Sequence, residues 1–149
     1  MNDVNRDRDA YDHGMRVRRE VLGDEHVDAA QAATSEFTAP FQDYITRAAW
    51  SAVWGRPGLD RHTRSLITLA LLTGLGRENE IAMHVRAARR HGVTPAEIGE
   101  ALLTAGLYAG VPTANAAFAI AQRTLAELGE PDALAAPDDT DGGAEHSAG

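Results

Sequence analysis

The sequence predicts an all-α protein, a compact bundle of about six or seven helices. No stretch alternates apolar and polar residues over the length of a strand, and β-branched residues are scattered through sequence rich in Ala and Leu. Apolar residues instead recur at helical spacing, in segments separated by Gly and Pro. Connections this short favour antiparallel packing of consecutive helices.

The first part of the chain is predicted to form three helices. Residues 11–21 carry apolar side chains at roughly helical spacing, and a shorter helix is expected after Asp24. Residues 35–54 are predicted to be a longer helical region, bent near Pro40. The Gly-Arg-Pro-Gly turn at residues 55–58 ends that region.

The next helix is predicted to begin near Leu59 or Asp60 and to end at Gly74 and Gly76. Its residues 66–72 are apolar on nearly every side. A helix that is apolar all round is typical of a buried position, so this one is expected to lie at the centre of the bundle.

Three further signals divide the remainder into three helices. A helix over residues 79–91 is expected to end at Gly92. The sequence Thr-Pro-Ala-Glu at residues 94–97 predicts an N-cap, a first-turn Pro and a capping box for a helix that continues to about Tyr108. The last helix is predicted over residues 113–128. Ala-rich faces on the last two helices favour close helix contacts, within one chain or between subunits.

Composition predicts a folded domain at residues 11–128, a flexible N-terminus at 1–10 and a disordered acidic tail at 129–149. The tail holds six of the 22 acids, no base and hardly any large apolar side chain, so it buries too little surface to offset its ordering entropy. Residues 1–128 hold 14 bases and 16 acids. Because this part has no strong field of either sign, neither nucleic acid nor an anionic membrane surface is expected as a partner.

Two residue types are absent, and each absence excludes a class of chemistry. The chain has no Cys, which excludes disulfides, thiolate nucleophiles and thiolate metal sites. All 14 bases are Arg, so a Schiff-base Lys is excluded and Arg is left to hold a carboxylate. The first 14 residues are too polar for a signal peptide and no apolar run is long enough to cross a membrane, so a cytoplasmic protein is expected.

Glu80 and His84 are the first candidate for chemistry, because residues four apart on a helix share a face. A carboxylate beside an imidazole fixes the ring tautomer and raises its pKa, which gives an acid or base poised near neutrality. The alternative is an ordinary surface pair. Arg77 is placed to join them from the start of the helix. His91 follows on the same face, but the spacing matches no tight ligand set and no metal site is predicted.

Two other pairs each allow two interpretations. Trp50 and Trp54, again four apart, suit either core packing or the wall of a pocket. Arg61 and Arg64 open the otherwise apolar central helix, either as solvated first-turn residues or as a clamp for a carboxylate.

Two segments resemble the 4-carboxymuconolactone decarboxylase family: AWSAVWGRPGLDRHTRSLIT at residues 49–68 and EIAMHVRAA, with its E-x-x-x-H pattern, at 80–88. The similarity extends over residues 11–128. The wider superfamily includes AhpD-type peroxidases with the pattern C-x-x-C-x-x-x-H. When the patterns are aligned on His84, Arg77 and Glu80 occupy the two cysteine positions, so cysteine-dependent peroxidase activity is excluded. Asn115 departs from the family pattern, in which an acid is expected.

The resemblance implies an AhpD-like fold and cofactor-free conversion of 4-carboxymuconolactone, a lactone dicarboxylate, to 3-oxoadipate enol-lactone in the protocatechuate branch of the β-ketoadipate pathway. It also implies a homo-oligomer, a trimer or hexamer. An enzyme acting on another lactone or β-keto-type acid, and a non-catalytic oligomeric helical module, are the alternatives. The residues assigned are Glu80 and His84 for catalysis, and Arg64, Arg61, Trp50, Trp54 and Arg77 for substrate binding.

Overall fold

The computed structural model describes residues 3–130, which form seven α-helices and one π-helical segment, with no strand in that range. The all-helical prediction is confirmed. The prediction of a disordered tail concerns mainly residues 131–149, which lie outside the described range. The helices are α1 (Asp3–Leu22), α2 (Asp24–Ala32), α3 (Ala39–Ile45), α4 (Arg61–Gly74), α5 (Glu78–Arg90), α6 (Pro95–Ala109) and α7 (Val111–Glu127), and the π-helical segment is Thr46–Trp54.

Local capping signals set the starts of α4 and α6. The Asp60 carboxylate accepts a hydrogen bond from the backbone N–H of Thr63 at 2.7 Å, which satisfies one of the free donors of the first turn. The predicted capping box of α6 is confirmed, with Thr94 and Glu97 each accepting the other's backbone N–H.

The region 35–54 differs from its prediction in two ways. There is no bend at Pro40, because α3 begins at Ala39 and Pro40 lies in its first turn, where a missing N–H costs nothing. From Thr46 the chain continues as a π-helix, in which the N–H of Gly55 bonds to the carbonyl of Trp50, five residues back. Such segments are rare and are frequent at functional sites.

Helix α1 also begins earlier than predicted, at Asp3. The flexibility assigned to residues 1–10 stays a prediction, since a helical end can still fray.

The core has two clusters, and α5 contributes to both. One lies between α4, α5, α6 and α7 and includes Leu69, Val85 and Leu102, each fully buried. The other joins α1 to the π-helical segment and includes Val21, Trp50, Trp54 and Ala87 of α5. The face of α5 that turns towards this second cluster carries the candidate catalytic residues.

The prediction that α4 is the buried central helix is wrong for one of its sides. Its neighbours cover only one side, so Leu69 is inaccessible while Ile67 and Leu71 are 44% and 57% exposed. The uncovered side forms one wall of an apolar groove of about 470 Å³, which Ala105 and Tyr108 of α6 help to line. Of the described helices, none combines the length and apolarity needed to cross a membrane.

Candidate active site

His84 lies beneath Trp54, where α5 meets the π-helical segment. The His84 residue is only 9% exposed, and the two rings stack with centroids 6.2 Å apart and planes inclined by 21°. Trp54 in turn contacts Trp50, with ring centroids 5.6 Å apart. The core-packing interpretation of the tryptophan pair is confirmed, because both residues are buried in the second core cluster. A role as the wall of a substrate pocket stays a prediction.

The imidazole of His84 has no hydrogen-bond partner among residues 3–130. Its Nδ1 atom is buried and has no partner, and its Nε2 atom is not among the buried unpaired atoms. Burial, with a smaller contribution from the nearby charge of His26, lowers the pKa of His84 from 6.5 to about 4. The ring is therefore neutral at pH 7.

The prediction that Glu80 raises the pKa of His84 is wrong. The shared helix face is present, but Glu80 lies in the exposed first turn of α5 and makes no hydrogen bond to His84 in the described structure. His84 lies one turn further along, under Trp54. Desolvation therefore sets the pKa of the His84 imidazole. The Glu80 carboxylate, which was expected to raise that pKa, remains in solvent.

The two arginines of α4 have different surroundings. Arg61 forms an ion pair with Glu20 of α1, and its charge helps to lower the pKa of His91, which is depressed mainly by burial. Arg61 is thus engaged at the end of α5 that lies away from His84.

Arg64 is half-buried and has no carboxylate partner within residues 3–130. Its Nη2 donates a long hydrogen bond, 3.5 Å, to the carbonyl of Arg56, and its Nε is buried and unpaired. Arg56 follows Trp54 by two residues, and α4 packs against α5, the helix that carries His84. Of the two clamp candidates, Arg64 is the one with unused donors.

Arg77 occupies the N-cap position of α5 and is exposed, with no capping hydrogen bond from its side chain. Like Glu80, Arg77 is exposed to solvent.

Two polar features were missed at the sequence level. Ser65, next to Arg64, is 1% exposed and its hydroxyl has no partner in the described structure. A lone Ser in an apolar helix was a usable signal for it. His62 bonds to Glu97 at 2.9 Å and so joins the starts of α4 and α6. No local pattern indicates that contact, since the two residues are far apart in sequence.

Other polar clusters offer less for chemistry. A cavity of about 660 Å³ between α2, α5 and the residues after α7 is lined by Arg86, Arg89 and Arg90. Arg86 is paired with Glu127 and Arg89 with Glu130, while Arg90 is exposed. Over residues 3–130, no three His, Asp or Glu side chains are grouped so as to hold a metal ion.

The arrangement around His84 suits a reaction of a carboxylate substrate. Arg64 supplies a cation with free donors, and its planar fork matches a carboxylate. The neutral imidazole of His84 can donate one hydrogen bond to a developing oxyanion. The Trp54 indole, packed against Trp50, excludes water from one side of the imidazole, which strengthens the hydrogen bond that the ring can make.

Comparisons with known proteins agree with this chemistry. The sequence model of the carboxymuconolactone decarboxylase family matches residues 39–123. A 4-carboxymuconolactone decarboxylase of Acinetobacter baylyi is 48% identical over 129 residues, which cover 87% of this chain and 93% of that protein. A nitrosuccinic acid decarboxylase of Metarhizium robertsii is 44% identical over 118 residues, covering 79% of this chain and 82% of the relative. An uncharacterized 15.0 kDa protein of Paracoccus denitrificans is 37% identical over 79 residues, 52% of this chain and 59% of that protein.

Proposed function

The chain belongs to the carboxymuconolactone decarboxylase family, and on that premise we propose that it is a carboxy-lyase converting 4-carboxymuconolactone to 3-oxoadipate enol-lactone. The observation that carries the proposal is the 48% identity to the Acinetobacter enzyme over nearly the whole of both chains. The reaction belongs to the protocatechuate branch of the β-ketoadipate pathway, which implies a cytoplasmic location.

The substrate itself supplies the electron sink for this reaction. The departing carboxylate is attached to the γ-carbon of an unsaturated lactone. When that C–C bond breaks, carbon dioxide leaves and the electron pair moves through the C=C bond to the lactone carbonyl, giving a dienolate. A proton added to the α-carbon completes the product. The protein must therefore hold a dianion, stabilise the new oxyanion and allow one protonation.

Arg64 is the proposed clamp for the carboxylate that stays on the substrate, because its guanidinium forms no ion pair with the described residues and makes only one long hydrogen bond, to the carbonyl of Arg56. Arg61 would first have to leave Glu20, so its part is secondary. Trp50 and Trp54 provide the dry wall, since apolar surroundings favour loss of a charged carboxylate into a delocalised anion.

His84 is the proposed donor to the dienolate oxygen. A neutral imidazole is a poor proton donor, but its one N–H can stabilise an oxyanion through a hydrogen bond. The proton for the α-carbon then comes from water at the solvent side of the site, where Glu80 and Arg77 lie exposed. Glu80 acts by orienting that water.

Nitrosuccinic acid is a second candidate substrate, because a relative named for its decarboxylation is 44% identical to this chain. A nitro group beside a carboxylate is also an electron sink, so the same clamp and oxyanion donor would serve. Another lactone or β-keto-type acid would use the same principle.

The test is to incubate the purified full-length protein with enzymatically generated 4-carboxymuconolactone, and in parallel with nitrosuccinate, following ultraviolet absorbance and released carbon dioxide. Turnover of the lactone supports the proposal, and faster turnover of nitrosuccinate favours the second candidate. No turnover of either substrate, by protein that is folded, would point to the non-catalytic helical module.

Variants then test the assignments of residues. His84→Ala should reduce kcat by about 10²–10⁴-fold if the imidazole takes part in the chemistry. Arg64→Gln should raise KM strongly, whereas Arg61→Gln, which removes the same charge from the same helix, should have the smaller effect. Equal effects of the two arginine variants would contradict the assignment of the clamp to Arg64.

We also propose that the uncovered face of α4 and α6 packs against other copies of the chain, in a trimer or hexamer. Its exposed side chains include Ile67, Leu71 and Tyr108. Exposed apolar patches of this kind are typical of subunit interfaces. Light scattering should show an oligomer that Leu71→Glu dissociates, while Val4→Glu, a matched change at an exposed position outside the groove, should not.

A further inference from the structure

Arg18 is a buried arginine without a counter-ion in the part of the chain that the structure describes. It lies on α1 and is 6% exposed. Its Nη2 donates to Oε1 of Gln42 at 3.1 Å, and its Nε is buried with no partner. Over residues 3–130 it forms no ion pair, in contrast to Arg19 on the same helix, which pairs with Asp24 and Asp28.

A buried guanidinium without a counter-ion destabilises the folded protein unless an anion binds next to it. An isolated buried charge loses its hydration without compensation, and proteins normally pair it or neutralise it. Burial lowers the pKa of Arg18, but a guanidinium does not lose its proton near neutral pH. The charge therefore remains and favours an anion beside it.

Arg18 lines a cavity of about 330 Å³ that offers room for such an anion. One carboxylate, Asp43, also lines it, but both of its oxygens bond to Arg47. The remaining polar lining consists of neutral hydroxyl and amide groups from Tyr11, Gln31, Thr34, Gln42 and Thr46.

The cavity is separate from the site around His84. Its lining comes from α1, α2, the chain that follows α2, α3 and the first residue of the π-helical segment, with no residue of α4 to α7. Its walls are closely packed. A Cβ atom on Gly14 would lie 2.1 Å from the carbonyl oxygen of Thr46, so the backbones of α1 and the π-helical segment are in direct contact. The Thr46 hydroxyl donates to the carbonyl of Gln42 at 2.7 Å.

We propose that this pocket binds a small carboxylic acid, with the carboxylate beside the guanidinium of Arg18 and the neutral groups holding the rest of the molecule. One guanidinium balances one negative charge, and its planar fork matches a carboxylate. A phosphate dianion would need a second free cation, which the described lining lacks. The volume corresponds to about ten waters at about 30 Å³ each, enough for a short mono- or dicarboxylate.

The experiment is a titration of the full-length, 15N-labelled protein with succinate at constant ionic strength. Its neutral analogue succinamide is the control ligand. The Nε–H resonance of Arg18, identified by its loss in Arg18→Gln, should shift and saturate with succinate and stay in place with succinamide. Calorimetry should show this binding weakened at least about tenfold in Arg18→Gln. Arg16→Gln, which removes an exposed arginine from the same helix, should bind as the unchanged protein does.

Removal of a buried unpaired charge is often neutral or stabilising, so Arg18→Gln should fold. Arg18→Lys provides a second variant that keeps the charge but loses the fork, and it should also bind more weakly. Succinate held only at Arg64 would leave the Arg18 resonance unmoved and would persist in Arg18→Gln, and that result would overturn the proposal. So would a crystal structure in which a carboxylate of a second copy, or of another part of the chain, occupies the pocket.

Discussion

Protonation of His84 should destabilise the folded protein, because its imidazole is buried against Trp54 with no carboxylate bonded to it. The folded pKa is about 4, against about 6.5 in an unfolded chain. Since the folded pKa is the lower one, the unfolded chain takes up the proton first as the pH falls. Stability from this residue is complete above about pH 6.5 and is lost progressively towards about pH 4.

The size of the effect follows from the two pKa values. Proton linkage gives a loss of about 2 kcal/mol in the free energy of unfolding between about pH 7 and about pH 5. The loss reaches about 3 kcal/mol once both states are protonated. Other groups also titrate, so the quantity to compare is the loss in the unchanged protein minus the loss in His84→Gln.

Urea unfolding, followed by tryptophan fluorescence at one protein concentration, measures this difference. Glu80→Gln is the control variant. Because Glu80 makes no hydrogen bond to His84, we expect the stability of this variant to depend on pH as that of the unchanged protein does. If Glu80 instead supported the imidazole, removing it would lower the pKa of His84 and enlarge the loss. An NMR titration that gave His84 a pKa above about 6, or equal losses with and without the imidazole, would refute the reasoning from desolvation.

Three further predictions concern the fold, each checked by urea unfolding at fixed protein concentration. Gly14→Ala should destabilise by about 1–3 kcal/mol, because the new Cβ would collide with the Thr46 carbonyl. Gly99→Ala within α6, where a Cβ has open space, should be neutral or stabilising, and similar losses for the two variants would contradict the packing. Asp60→Ala should cost about 1 kcal/mol through loss of the N-cap, and an unchanged midpoint would contradict that cap. Leu102→Ala should cost about 2–5 kcal/mol, because Leu102 is fully buried, and a loss below about 1 kcal/mol would show that its surroundings collapse or are looser than the structure indicates.

Much of the fold could be read from the sequence because its signals are local. The cap at Asp60 and the capping box at Thr94 depend on residues three apart, so their positions follow from the chain alone. The family assignment rested on the continuous segments 49–68 and 80–88, and it is confirmed by the comparisons.

The site could be predicted only in part. The sequence showed that Glu80 and His84 share a helix face, and that was correct. It could not show that Trp54 covers His84 and leaves Glu80 in solvent, because the depth of each side chain depends on how α5 meets the π-helical segment. The direction of the pKa shift was wrong for that reason.

The sequence by itself determined the helical class, the capped starts of α4 and α6, the absence of thiol and lysine-amine chemistry, and the family. These follow from residue type and short spacing, which act within one or two turns of chain. Only the tertiary structure decided which charges are paired: Arg61 is held by Glu20, while Arg64 and Arg18 keep unpaired buried donors in the described part of the chain. Pairing and desolvation depend on residues distant in sequence, and they fix the charge state with which each group meets a ligand.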